Sequence, residues 1–272
     1  MSRAEDWELP ITEAQLIAMT RDLDEAHRET IPLMRAQAAG FAEELADTGV
    51  IRRPVGRRRF LVGLGGVGAG LALAACSSSS SSPSTGASSM SAAAGTPMSG
   101  TTPSVYTGDL KVVALATALE NQAVAAYTAA LAAAAAGKLG TVPPAVGTFA
   151  QTAMGQHADH AKAWNGVLQA ANVPTITNIP LSTQPEVLSA LGAVTTVSGV
   201  AILALELENQ AAQTYLFAAG NVSSAGGIAT AASIAPVEAM HAAILQFVVG
   251  QYPVPDSFLG TSKAASTSTL TV

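Results

Sequence analysis

Leu119-Glu120-Asn121-Gln122-Ala123-Val124-Ala125-Ala126-Tyr127 returns 88 residues later as Leu207-Glu208-Asn209-Gln210-Ala211-Ala212-Gln213-Thr214-Tyr215, identical at six of nine positions. A second pair follows at an offset of 81, where His157-Ala158-Asp159-His160 corresponds to Glu238-Ala239-Met240-His241. Two matched segments in the same order, one connection seven residues shorter, describe a duplicated helical hairpin. The surrounding chain is rich in alanine, leucine and valine, good material for closely packed helices.

Breakers set the predicted boundaries. A first helix is expected from Gly108 to Ala136, stopped by Gly137. Pro143-Pro144 open a second, since proline is favoured in the first helical turn, and it runs to Ala171. Residues 172–184 are proline-broken and extended. A third helix is expected from near Pro185 to Gly220, and a fourth from Ser223–Gly227 to Gly250. Short connections within each half imply antiparallel hairpins. The 13-residue link between halves, at about 3.3 Å per residue, can cover roughly 43 Å, the length of a bundle. The fold expected for residues 107–250 is therefore an all-α four-helix bundle with one long crossover, followed by a loose polar tail at 251–272.

Polar residues are scarce in these helices. Residues three apart share a helix face, so His157 with His160, and Glu238 with His241, can each point at one centre. Glu120 and Glu208 are set among apolar residues. Burying carboxylates there costs several kcal/mol each unless they are paired or bind metal, and three together should repel one another when empty. Glu206 lies about 200° around its helix from Glu208, and the repeat selects Glu208. Asp159 and Lys162 lie off the His157/His160 face and read as solvated. Met154 and Trp164 read as core. Asn121, Gln122, Asn209 and Gln210 read as helix or partner contacts, with Gln122 and Gln210 able to support ligands.

This pattern resembles the ferritin-like di-iron and di-manganese carboxylate bundles, in which two helices give one Glu each and two give Glu-x-x-His. The resemblance covers about 140 residues, and five of six ligand positions match. It implies Glu120, His157, His160, Glu208, Glu238 and His241 as ligands of two divalent ions, iron or manganese. The departure is His157, which stands where the family carries glutamate. Tyr127 and Tyr215 each follow their glutamate by seven residues. In ferritins a tyrosine so placed neighbours the metal, and here both are expected to hydrogen-bond ligands. Three carboxylates and three neutral imidazoles carry a formal −3 against +4, so the site would need a hydroxide or prefer another metal, or only one.

Upstream, Arg57-Arg58-Arg59 precedes an apolar run of about 16 residues ending at Leu73-Ala74-Ala75-Cys76. That run is short for a membrane span, which needs roughly 20 residues. Residues 56–76 resemble a twin-arginine export signal, through Arg57 and Arg58, that ends in a lipobox with Cys76 as the lipidated residue. Gly56 and Val62 depart from the usual motif but leave the arginine pair. An uncleaved signal anchor is the alternative. Either way the bundle is expected outside the cytoplasm. Residues 77–106, opening with six serines, form a flexible tether. Residues 1–55 are either a cytoplasmic extension or a mis-assigned start, with Met34 the favoured true start. Residues 12–47 read as an amphipathic helix broken by Pro32, with His27 at its surface.

From Cys76 onward there are four lysines, no arginine and eight carboxylates, a formal charge of −4, which excludes a basic nucleic-acid surface. The expected partners are the membrane through lipidated Cys76, the twin-arginine machinery and a second copy in a homodimer. Two functions follow: a lipid-anchored envelope protein with a di-metal centre acting as an oxidase, ferroxidase or peroxide scavenger, or a non-catalytic scaffold or stress protein of the same fold. The resemblance extends to desiccation-related ferritin-like proteins exported by the same route. Whether the chain is an enzyme is left open, and a hollow storage shell is disfavoured by the anchor and tether.

Overall fold

The computed structural model describes residues 7–47, 104–254 and 259–272. The expected export signal with Arg57, Arg58 and Cys76, and nearly all of the tether, lie outside the described residues. Among those described, the secondary structure is helical: α1 (Glu13–Asp47), α2 (Asp109–Ala135), α3 (Pro144–Ala170), α4 (Gln184–Ala193), α5 (Val197–Asn221) and α6 (Ala225–Val248).

The predicted breakers work as local chemistry requires. Gly137 and Gly250, at φ 68° and 71°, take the left-handed conformation that ends α2 and α6. Pro143 and Pro144 open α3. The side chains of Thr196 and Ser224 cap α5 and α6 by accepting from Gly199 N and Gly227 N, each at 3.1 Å. The helix expected from Pro185 to Gly220 is interrupted at residues 194–196, where Thr196 is extended and caps a new helix. Gly220 does not stop it; α5 continues to Asn221.

Helices α2 and α3 form one hairpin and α5 and α6 the other. Asp109 at the start of α2 accepts from Ser223 N and Ser224 N at the start of α6, at 3.0 and 3.1 Å, so these two helices run parallel. The crossover between the hairpins is tied down on its way. Asn121 donates to the carbonyls of Ile176 and Asn178, and Asn165 pairs with Ile176 through both backbone groups. Gln122 is likewise a crossover contact, donating to Gln184 at 2.6 Å. The tail is not loose. Ser182 N donates to Thr269 O, Thr271 N donates to Pro180 O, and Lys263 and Ala265 are held by Gln213 and Thr214. Its polar composition hid this, because the contacts are made by backbone groups.

Helix α1 corrects two expectations. Pro32 lies inside it without breaking it. Proline in a helix interior costs about 3 kcal/mol, but apolar residues on both sides of it, from Leu16 to Phe41, are buried against the bundle and hold the helix through the gap. Nor is His27 at the surface: it is 4% exposed. Leu16, Leu23, His27 and Ile31, all upstream of Met34, are buried in the core. α1 packs on both α3 and α6, which scarcely meet each other directly.

Two apolar clusters fill the interior, one around Phe41, Trp164, Tyr215 and Ile234 and the other around Leu16, Tyr127, Phe149 and Leu245. Along the bundle helices the buried glutamates and histidines fall between them. By length and composition alone α6 is apolar enough to cross a membrane, yet it is a core helix here and its buried face carries Glu238 and His241.

Candidate metal centre

All six predicted residues meet in one buried layer, each no more than 2% exposed. Glu120 comes from α2, His157 and His160 from α3, Glu208 from α5, and Glu238 and His241 from α6. The i, i+3 spacing does what it was expected to do, since His160 Nδ1 lies 2.9 Å and His241 Nδ1 3.1 Å from the Glu238 carboxylate. Two overlapping groups of four have ligand atoms within 4.8 Å of one another: Glu120, His157, His160 and Glu238, and His157, Glu208, Glu238 and His241. Either could hold a metal ion. His157 and Glu238 belong to both, which makes the departing residue a central one. Its Nδ1 is 2.7 Å from Glu120 Oε2 and its Nε2 is 3.1 Å from Glu208 Oε1.

The two tyrosines cross over. Tyr127 follows Glu120 in sequence but donates to Glu208, at 2.5 Å. Tyr215 follows Glu208 but donates to Glu120. Each hairpin thus steadies the other's carboxylate, the reciprocity expected of a duplicated unit. Trp164, read from sequence as core alone, donates its Nε1 proton to the Tyr215 hydroxyl at 2.9 Å. Gln156 was missed altogether. Its Oε1 lies 2.9 Å from His241 Nε2, so Nε2–H donates to it, which leaves Nδ1 facing Glu208 and Glu238, a donor to them when protonated and the nitrogen available to a metal when not. Its position next to His157, one residue off the ligand spacing, gave no reason to suspect it.

Glu206 is exposed, as the repeat implied, and so is Lys162. Asp159 is half-exposed and paired with Arg35 of α1 at 2.6 Å.

The layer is not the self-repelling cluster expected of an empty site. Burial alone would lower the histidine pKa values, but the facing carboxylates reverse the effect. Glu238 and Glu208 raise His157 well above the ordinary imidazole range, and Glu208 and Glu238 raise His241. His160, facing Glu120 and Glu238, is pushed up to about 9. Against their own burial, His160 and His157 hold Glu120 down at about 2, and His157 and His241 hold Glu208 well below the carboxylate range. Burial, then the neighbouring carboxylates, keep Tyr127 and Tyr215 protonated well above 10. With the raised histidines facing the lowered Glu120 and Glu208, protons do in the metal-free protein what cations would do in the loaded one.

One feature fits metal better than protons. His160 Nδ1 and Glu238 Oε1 are 2.9 Å apart yet not aligned for a hydrogen bond, and neither buried atom has a hydrogen-bond partner elsewhere. Buried polar atoms are rarely left unpaired, and two that converge without bonding could serve together as co-ligands. The nitrogen and carboxylate donors suit iron or manganese. A cavity of about 10 Å³ between α2 and α5, lined by Glu120, Ala123, His157, Glu208 and Ala211, reaches the layer and has room for one water molecule.

A model of the ferritin-like domain family matches residues 108–251, the whole span from the first residues of α2 to the end of α6. No curated protein and no solved structure matches the chain.

Proposed function

The chain belongs to the ferritin-like domain family, and from that premise we propose that its buried layer binds two divalent metal ions, iron or manganese, in an exported, lipid-anchored protein that consumes oxygen or peroxide. The observation that carries this is the convergence of three carboxylates and three imidazoles, from four helices, on two overlapping four-residue groups. Glu120 and His160 would hold one ion, Glu208 and His241 the other, and Glu238 and His157 lie between. A bound pair would supply the electron changes needed to reduce oxygen or peroxide. The protein's own part is to keep the site dry, to hold both outer carboxylates with tyrosine hydroxyls, and to limit entry through the α2–α5 cavity to molecules near the size of water.

Export is supported by the sequence alone: the arginine pair, the apolar run and the Leu-Ala-Ala-Cys ending at Cys76. Partition of the wild-type chain with membranes, and of Cys76→Ser into the soluble fraction, tests the anchor. The second reading, a non-catalytic scaffold of the same fold, is favoured by His157, whose imidazolium lets the empty layer neutralise itself. Elemental analysis of the full chain grown with ample iron and manganese separates the two. The metal reading expects up to two ions per chain, lost in Glu120→Ala/Glu208→Ala; a folded wild-type chain free of both metals sinks it.

A further inference from the structure

The α3–α6 side of the metal layer is not closed by the bundle. It is closed by α1, whose buried seam runs Leu16, Leu23, His27, Ile31, Met34 and Phe41. His27 is the one ionisable side chain in that seam, and it falls at the level of the layer, its ring centroid 5.3 Å from that of His160. Its Nε2 is buried and has no hydrogen-bond partner. A seam that fits the groove only by its apolar character has no use for an imidazole with an unpaired nitrogen at that one level.

The fit of α1 is specific along its length. Glu13 accepts from Ala145 N at the start of α3, and Glu44 accepts from Gly226 N and Ser224 Oγ at the start of α6. These carboxylates serve helix N-termini whose amides would otherwise lack partners. Ser233 Oγ donates to Gln37 at 2.7 Å. At Gly226 the backbones come so close that a Cβ would lie 2.6 Å from Phe41 N and 2.8 Å from Phe41 Cα. The three atoms nearest to that position, Phe41 N, Phe41 Cα and Gln37 O, all belong to α1.

We propose that α1 is a detachable wall of the metal centre: docked, it seals the α3–α6 side and seats His27 on His160, and released, it opens that side to metal exchange. This rests on the metal reading above. Cleavage before Cys76, as proposed for export, would remove α1, so the precursor and the processed protein would hold metal with different permanence.

The test uses the full chain loaded with manganese and freed of excess, with release into a strong chelator followed over time. Gly226→Leu blocks the close approach while placing a better helix former in the first turn of α6, so the bundle is spared and α1 is displaced. It should release metal at least tenfold faster than the wild type. A second variant, Gln37→Cys/Ser233→Cys in a Cys76→Ser chain joined by a short bismaleimide, locks α1 down and should release metal more slowly than its uncoupled form. Release by the locked chain at the uncoupled rate overturns the proposal. A wild-type chain that takes up no manganese overturns the metal reading beneath it, a result distinguishable from the first.

Discussion

The proton-filled layer makes the metal-free protein's stability fall with alkaline pH, and the size of the fall can be worked from His160. Its pKa rises from 6.5 to about 9 on folding. At 1.36 kcal/mol per unit, that shift corresponds to about 3 kcal/mol. A raised folded-state pKa stabilises fully below the unfolded value, so this contribution is intact at pH 6.5 and is lost as pH passes through about 9. His157 and His241 are also raised and add to the loss. Glu120, lowered to about 2, is the same pairing seen from its other end and is counted once; its contribution is present above pH 4.5 and fails only as pH falls through 2. His27 works the other way. Burial, then the charge of His160, hold it down to about 4, so it costs stability between pH 6.5 and 4, and the measurement should start at 6.5. Urea unfolding of chelator-treated full chain, followed by circular dichroism at pH 6.5 and 9.5, should show a loss of about 3 kcal/mol or more. Metal-loaded protein should lose much less, because cations replace the protons. Metal-free stability that is flat or rising over that interval would refute the pairing.

Other consequences follow from single contacts. Gln156→Leu leaves the His241 Nε2–H buried and unpaired, costing about 1–3 kcal/mol in the metal-free protein and about 10–100-fold in metal affinity, measurable by unfolding and by metal titration. Tyr215→Phe removes the donor to Glu120 and strands Trp164 Nε1; a loss of about 1.5–3 kcal/mol is expected, with a change in tryptophan emission. His157→Glu should destabilise the metal-free chain by about 3–5 kcal/mol, since it breaks a buried pair, and added metal should restore the melting temperature.

Much of the bundle was legible because its cues are local and repeated. Proline at the start of α3, glycine after α2 and α6, and the Glu120/Glu208 duplication each act within a few residues, and the six polar side chains of the layer stood out against apolar helices. What escaped was set by tertiary contact. The docking of α1 depends on a groove between two helices more than 100 residues away, and only that groove makes Pro32 tolerable and buries His27. Gln156 and Trp164 act through partners on other helices, so their types alone could not distinguish them from packing. The tail is held by backbone amides, which carry no side-chain signature. The self-neutralising charge of the layer depends on each histidine facing a carboxylate, a matter of geometry rather than of spacing.

Anomalous diffraction from crystals of the full chain loaded with manganese, recorded above the manganese absorption edge, tests the central claim most directly. Two peaks about 3.5–4 Å apart, one beside Glu120 and His160 and one beside Glu208 and His241, are predicted. An ordered layer with Glu120, His157, His160, Glu208, Glu238 and His241 in place but no anomalous signal among them would contradict it.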